Sequence, residues 1–227
     1  TGEGEAFMAR MISHVTEARA RGYGAVIAAM RPNADRRVAA FLVERAGLPV
    51  AFDGGGQYGR QHFAALRAVA EAGASLLVAP FPDCDVVQAA RLRPGLAAPL
   101  SVAAWDPRQV ESGHMAGAMD VVHVDPGRSG ITSALQIASF AESRGLPMWI
   151  ASTASTPVGV AADLALACHP AVTLPSAFGL ARSHDGEAAV VTRGDGTAEV
   201  PPGLGIGPVP SRKALDAIAV ETHVLRG

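Results

Sequence analysis

The sequence predicts an α/β fold, a parallel (β/α)8-type barrel, from two observations. Short apolar runs recur about every 24 residues through most of the chain, and segments with helical periodicity lie between them. The runs are apolar throughout, which is typical of strands covered on both faces in a parallel sheet. An open doubly wound sheet fits the same alternation, but it usually carries a glycine fingerprint after its first strand, and this sequence has none there. The barrel is therefore favoured.

Seven strands are expected, each followed by a helix or a turn. Their ranges are Ala25–Met30, Pro49–Phe52, Leu76–Phe81, Pro99–Ala104, Val121–Asp125, Pro147–Ser152 and Ala171–Leu174. Between them, Asp35–Gly47 and Arg60–Gly73 have the apolar period of helices. Glycine is expected to end four of the helices, at Gly22, Gly47, Gly73 and Gly145, because glycine favours the left-handed C-cap conformation.

The front of the chain departs from this repeat. Thr1–Ala20 already has helical periodicity, so the strand that should precede it is expected upstream of Thr1 or on another chain. We divide the chain into residues 1–176, a barrel that lacks its first strand, and residues 177–227, a C-terminal segment.

In the C-terminal segment we expect a hairpin and a short helix. Glu187–Thr192 and Thr197–Val200 flank the turn sequence Arg193-Gly194-Asp195-Gly196, and the helix should run from Ser211 to about Ala219.

Composition narrows the classes of function. The 227 residues are 49% hydrophobic and 5% aromatic, which is typical of a folded α/β protein with a buried core. A net charge of −2 provides no excess of positive charge for binding nucleic acid or an anionic membrane. No apolar run is long enough to span a bilayer, and we expect a cytoplasmic protein. Cys84 and Cys168 lack the spacing of a zinc site or a disulfide framework, and we interpret both as free thiols.

Asp53 is the first candidate site residue. It ends a buried strand and precedes three glycines, and in a parallel α/β protein the carboxyl ends of the strands form the face that binds ligands. The alternative is that its carboxylate only caps the glycine turn.

The order and spacing of several motifs resemble the enolase superfamily, in its mandelate racemase/muconate lactonising branch. The motifs are AFDGGGQYG, LVAPF, DVVHVDPGRSGIT, GLPMWIAST and VPPGLGIG, and the similarity covers nearly the whole chain. The resemblance implies a capping domain before this chain, to which the C-terminal segment would return.

The resemblance also implies one Mg2+, held by three carboxylates at the ends of barrel strands three, four and five. The metal would polarise a substrate carboxylate for removal of the α-proton. Asp53 occupies the first ligand position, whereas we place the second on Val78 and the third on Ala104. Because one carboxylate cannot hold a hard cation as three do, tight Mg2+ binding is not expected.

The bases of the family are also replaced. The lysine pair of strand two falls on Ile27 and Ala29, and the strand-seven histidine position falls on Ala151. Asp125 stands where strand six carries its Asp or Lys, and the resemblance therefore implies that Asp125 is the acid/base.

Three other acids could supply metal ligands if their loops fold inward. They are Asp83, Asp85 and Asp106, and all three also have the sequence context of helix caps, which we favour.

His123 is the second candidate catalytic residue. It lies two residues before Asp125 on one strand, so both side chains should point to the same side. A buried His–carboxylate pair can tune a base towards neutral pH. The alternative is a core histidine that only hydrogen-bonds inside the barrel.

Two functional hypotheses remain open. One is an enzyme that abstracts a proton α to the carboxylate of a small acid, as a racemase, dehydratase or cycloisomerase, with Asp125 as acid/base and Asp53 as metal ligand or substrate contact. The other is a catalytically silent homologue that binds a small acid or a partner subunit. We expect a homo-oligomer or pairing with a capping segment, and fold analogy alone does not choose between the hypotheses.

Overall fold

A computed structural model describes residues 2–32, 36–82, 85–152, 156–178, 193–202, 205–207 and 212–218. The strands are β1 Val26–Ala29, β2 Val50–Asp53, β3 Leu76–Val78, β4 Leu100–Ala104, β5 Val121–Val124 and β6 Met148–Ile150. The helices are α1 Gly2–Ala20, α2 Arg36–Ala46, α3 Phe63–Glu71, α4 Val86–Leu92, α5 Pro107–Met115, α6 Pro126–Ser129, α7 Ile131–Arg144, α8 Pro157–Ala167 and α9 Arg212–Ile218, with a short 3-10 turn at Arg60–His62.

The six strands form one sheet in the order β1-β2-β3-β4-β5-β6, and every neighbouring pair is parallel. This order follows the chain, as it does in a (β/α) barrel, whereas a doubly wound sheet reverses its order at a switch point. The described residues therefore form a half-barrel, which agrees with the predicted fold class in its parallel α/β part.

The expected seventh strand is the main departure from the prediction. The segment runs parallel to β6, but only through two isolated bridges, Met148 to Val172 and Ala151 to Ala177. Between the two bridges the β6 side advances by three residues, from Met148 to Ala151, and the neighbouring segment by five, from Val172 to Ala177. The segment is therefore bulged, and its Pro175 has no N–H to donate. The bulge and the proline prevent a regular strand over Ala171–Leu174.

The two faces of the sheet are packed differently. On the helix side, one large core joins even the shortest strands to the helices, with Leu77, Leu100 and Ile150 at 0% exposure. On the other side, which we call the concave face, a small cluster contains Ala51, Val78, Val121 and Trp149. The helix-side core holds the fold, and the concave face lies where a barrel fold places its interior.

The predicted helix signals are confirmed. Gly145 is the C-cap of α7 in the left-handed conformation, at φ 62°, and Gly22, Gly47 and Gly73 also have positive φ. Asp85 caps α4 by accepting the Gln88 N–H. These glycines and caps fix where each helix ends and the next strand begins.

The structure also describes parts of both ends of the chain. Among the described residues, β1 pairs only with β2, and a groove of about 330 Å³ lies between β1 and α1. In the C-terminal segment, the turn at 193–196 is confirmed by the hydrogen bond from Gly196 N–H to the Arg193 carbonyl, and α9 confirms the short helix. Glu187–Thr192, the first strand of the predicted hairpin, lies outside the described residues.

Candidate functional site

Asp53 and Asp125 lie at the same edge of the sheet. Asp53 is the last residue of β2, and Asp125 directly follows β5. Because all strands are parallel, both residues stand at the carboxyl ends of their strands, as predicted. They are three strand spacings apart, about 14 Å along the sheet at about 4.8 Å per strand. We call this edge the rim.

Asp53 is half-buried, and its carboxylate is used locally. Its Oδ1 accepts the N–H of Gly55 at 2.9 Å. This contact is the one expected if the Asp53 carboxylate only caps the glycine turn. The next residue, Gly54, has no room for a side chain, because a Cβ there would lie 2.6 Å from Pro80 Cα. The loops after β2 and β3 are thus pressed together beside Asp53, and one carboxylate oxygen already has a partner.

Apolar residues occupy the concave face where the resemblance demands charged ones. Val78 pairs in register with Asp53 and belongs to the concave cluster. Ile27 and Ala29 pair in register with Ala51 and Asp53, so both residues lie on the same face and neither carries an amine.

The predicted third ligand position, Ala104, is wrong by one residue. Ala104 packs in the helix-side core, and the neighbouring Ala103 pairs in register with His123 on the concave face. The error arises because side chains alternate between faces along a strand, so an assignment that is off by one residue places the side chain on the opposite face of the sheet. Either residue is an alanine, and neither can ligate a cation.

The concave face therefore does not fit the Mg2+ site that the fold family implies. Mg2+ prefers an octahedral set of oxygen ligands, and Asp53 is the one carboxylate among the three ligand positions at this end. Among the residues that the structure describes, no three His, Cys, Asp or Glu side chains are grouped to hold a metal ion.

His123 lies deep on the concave face in a closed polar network. The Ser101 hydroxyl is 2.8 Å from His123 Nδ1, and the Trp149 indole N–H donates to the same hydroxyl at 3.2 Å. The His123 and Trp149 rings also stack at 5.0 Å with an angle of 34°. Since the indole only donates, the Ser101 proton is available for Nδ1, which keeps the imidazole neutral.

Burial also lowers the pKa of His123 to about 3. An imidazole that resists protonation this strongly is a weak general base at neutral pH. The geometry thus favours the alternative in which His123 is a hydrogen-bonded core residue.

Asp125 is 4% exposed and caps α6, where its Oδ1 accepts the Gly127 N–H at 2.9 Å. The neighbouring strand β6 ends beside it, because the Ala151 N–H donates to the Val124 carbonyl at 2.9 Å. Asp125 is therefore a buried acid at the junction of β5, β6 and α6.

A second buried acid lies near Asp125. Asp163 on α8 is 5% exposed, and the Ser152 hydroxyl donates to its Oδ2 at 2.5 Å. Burial raises the pKa of Asp163, the Ser152 hydrogen bond lowers it, and the charge of Asp125 raises it.

Asp163 and Ser152 were not predicted from the sequence as site residues. A signal was present, because Asp163 is the one ionisable residue in the α8 sequence PVGVAADLALA. An acid inside an apolar helix is costly unless it is paired or neutral, so such a residue indicates a buried contact.

The remaining acids and thiols take structural roles or lie outside the described residues. Asp85 and Asp106 accept backbone N–H groups as helix caps, with Asp106 bonding the Arg108 N–H at 2.7 Å. Cys168 is a free, exposed thiol. Asp83 and Cys84 lie outside the described residues.

A parallel sheet whose strand order follows the chain, with acids at the carboxyl ends of the strands, is a (β/α) half-barrel, and barrels of this type bind ligands at that end. The chain belongs to the family described as enolase C-terminal domain-like, whose model matches residues 10–214.

One curated relative is 31% identical over 99 residues, an N-succinylamino acid racemase from Amycolatopsis sp.. The match covers 41% of this chain and 27% of that protein.

Solved structures of the superfamily have the same fold. A member from Listeria innocua has a TM-score of 0.82 at 22% identity, with 92% of this chain and 58% of that chain covered. A dipeptide epimerase from Cytophaga hutchinsonii, solved with Mg and the dipeptide D-Ala-L-Val, has a TM-score of 0.79 at 15% identity, with 92% and 60% covered. The chain thus spans about three fifths of the length of these structures. Among the described residues, no helix is both long and apolar enough to cross a membrane.

Proposed function

We propose that this chain is a divergent homologue that has lost metal-assisted proton abstraction and that keeps the rim of its barrel for binding. The observation that carries the proposal is the concave face, where Val78 and Ala103 stand at two metal positions and Ile27 and Ala29 at the lysine positions. Each replacement removes a charge that would stabilise a developing enediolate, and the loss of one such partner typically costs about 10²- to 10³-fold. Together these replacements favour a catalytically silent barrel.

The proposed ligand is a small acid or a partner subunit. Relatives with this fold are a racemase, a dipeptide epimerase and a cycloisomerase, and their shared fold supports a ligand at the rim. We further propose that a capping segment completes the site beside the β1 edge, next to the groove under α1.

A second candidate is favoured by one observation, the burial of Asp125 at the end of β5. In this reading the chain still exchanges the α-proton of a small carboxylate, with Asp125 as the acid/base. The family position of Asp125, at the end of β5, supports this candidate.

Deuterium incorporation separates the two candidates. The protein is incubated in D2O with Mg2+ and a panel of acid sugars, mandelate-like acids, N-acyl amino acids and dipeptides, and exchange at the α-carbon is followed by NMR. We expect no exchange above the protein-free background. Exchange that is fast in the wild type, lost in Asp125→Asn and kept in Asp106→Asn would contradict the silent-homologue proposal. It would instead support the second candidate, an enzyme with Asp125 as its acid/base. Asp106 is a suitable control because it is an exposed acid at the end of the adjacent strand.

A further inference from the structure

One arginine at the rim is held in place by an aromatic ring. Arg128 lies in α6, just after β5, and its guanidinium carbon is 3.9 Å from the centre of the Trp105 ring. Trp105 directly follows β4, and β4 pairs with β5, so the two side chains meet across the ends of neighbouring strands. A contact this short is a cation–π stack, which fixes the guanidinium over the ring.

The Arg128 guanidinium has hydrogen-bond donors that the described part of the chain does not use. Among the described residues, no carboxylate or carbonyl oxygen accepts a hydrogen bond from this side chain or forms an ion pair with it. The carboxylate of Asp125, three residues earlier, accepts the Gly127 N–H. A guanidinium carries five N–H donors in one plane, and stacking occupies its face, not its edges. Since the side chain is also exposed, those edges are accessible to a ligand.

Other stacked arginines lack this combination. Arg21 and Arg45 also lie over aromatic rings, but Arg21 contacts Glu17 at 3.4 Å and Arg45 contacts Glu44 at 3.6 Å. Both lie where a helix ends and the next strand begins, which is the end of the barrel away from the rim. Arg128 thus combines an ordered cation, unused donors and a place at the ligand end of the barrel.

The inward-facing positions near this pair are apolar. Val78 ends β3 in the concave cluster, and Ala103 lies two residues before Trp105 on β4. A ligand that extends from Arg128 towards the concave face would therefore meet aliphatic side chains. A carboxylate on an apolar body fits this arrangement, because the carboxylate can form two parallel hydrogen bonds with a guanidinium and the body gains from leaving water.

We propose that Arg128, supported by Trp105, binds the carboxylate of a small monocarboxylic acid with an apolar body. This inference deepens the proposed function and rests on its claim that the rim binds a small acid. The guanidinium takes over the holding of the ligand carboxylate, which the resemblance assigns to Mg2+. Because the stack already orders the arginine, less side-chain entropy is lost when the acid binds.

Calorimetric titration of the full chain tests this binding with hexanoate, acetate and hexanamide. We expect hexanoate to bind saturably, acetate to bind more weakly because it lacks the apolar body, and hexanamide not to bind because it lacks the charge. Arg128→Gln should weaken hexanoate binding about tenfold or more, the size expected for a charge-assisted hydrogen bond. Arg128→Lys keeps the charge but loses the planar fork, and it should retain only part of the affinity.

Two further variants separate this site from the general charge of the rim. Arg108→Gln removes an exposed arginine near the end of β4, and it should change hexanoate affinity by less than about twofold, since a charge outside the site is screened by salt. Trp105→Leu should weaken hexanoate binding, because the guanidinium loses the ring that orders it.

The possible failures point to different conclusions. Wild-type affinity for hexanoate in Arg128→Gln would overturn the inference and leave the small-acid ligand of the proposed function in place. Equal weakening in Arg108→Gln, or equal binding of hexanamide, would also overturn it, because neither result needs a carboxylate on Arg128. If the wild type does not bind hexanoate, the inference is wrong, and a partner subunit becomes the favoured ligand. None of these results depends on exchange of an α-proton, so they are independent of the deuterium experiment.

Discussion

The two faces of the sheet differ in composition and in how closely each one matches the enolase superfamily. The helix-side face is packed with Leu, Ile, Val and Met side chains that touch the helices, whereas the concave face combines small apolar residues with the Ser101–His123–Trp149 network and the rim acids. The helix-side face packs six strands as a parallel half-barrel of the superfamily type, whereas the concave face has Ile27 and Val78 where the resemblance implies charged residues. The proposed loss of the reaction centre is compatible with a retained fold, because the core and the site depend on opposite sides of the same strands.

The largest expected effect is on the helix-side face. Leu77 on β3 is fully buried there, and Leu77→Ala should lower the free energy of unfolding by about 2–5 kcal/mol, since it leaves a cavity in the large core. The adjacent Val78 faces the concave cluster, and Val78→Ala should cost only about 1–2 kcal/mol. Urea denaturation of both variants measures the difference. Equal losses would mean that the concave cluster supports the fold as much as the helix-side core does.

Much of this difference between the faces could be predicted from the sequence. The period of the apolar runs predicted six of the strands, because runs such as Leu100–Ala104 are buried on both faces. The seventh failed because a bulge and Pro175 interrupt it, and the register of a bulge depends on the neighbouring strand, not on local composition.

The site was less predictable. Asp53 and Asp125 were placed at the correct rim, but Ala104 was chosen where Ala103 faces inward. Asp163 comes from a later helix, and its hydrogen bond with Ser152 is a tertiary contact that no local pattern encodes.

The next effect concerns pH and the interior network. The folded state disfavours the His123 imidazolium, because burial lowers the pKa to about 3, whereas the unfolded chain has an ordinary value near 6.5. The stability contributed by neutral His123 is therefore complete above about pH 6.5 and is lost as the pH falls towards 3. The loss should be about 1.4 kcal/mol per pH unit within that window.

His123→Asn should remove this slope, since the amide oxygen can still accept the Ser101 proton and has no charged form. Chemical denaturation at several pH values compares the variant with wild type. His14→Asn, on the exposed side of α1, is the matched control and should keep the wild-type slope. A wild-type slope in His123→Asn would show that His123 is not the buried neutral group described here.

The smallest effect is expected at the strand end beside Asp53. Ala79 follows β3 with φ 37°, a left-handed conformation that costs a residue with a Cβ. Ala79→Gly should therefore stabilise the protein slightly, by up to about 1 kcal/mol. Ala28→Gly in the regular strand β1 should destabilise it by a similar amount. Thermal unfolding measures both changes. A loss of stability in Ala79→Gly would show that the backbone at Ala79 is not strained.

The most direct test of the central claim, that the concave face no longer holds a metal-dependent centre, is a calorimetric titration with Mg2+. With Asp53 as the one carboxylate at the ligand positions, we expect binding no tighter than millimolar and the same weak heat in Asp53→Asn. A micromolar site that disappears in Asp53→Asn would contradict the claim, because it would mean that other oxygens complete the metal site around Asp53.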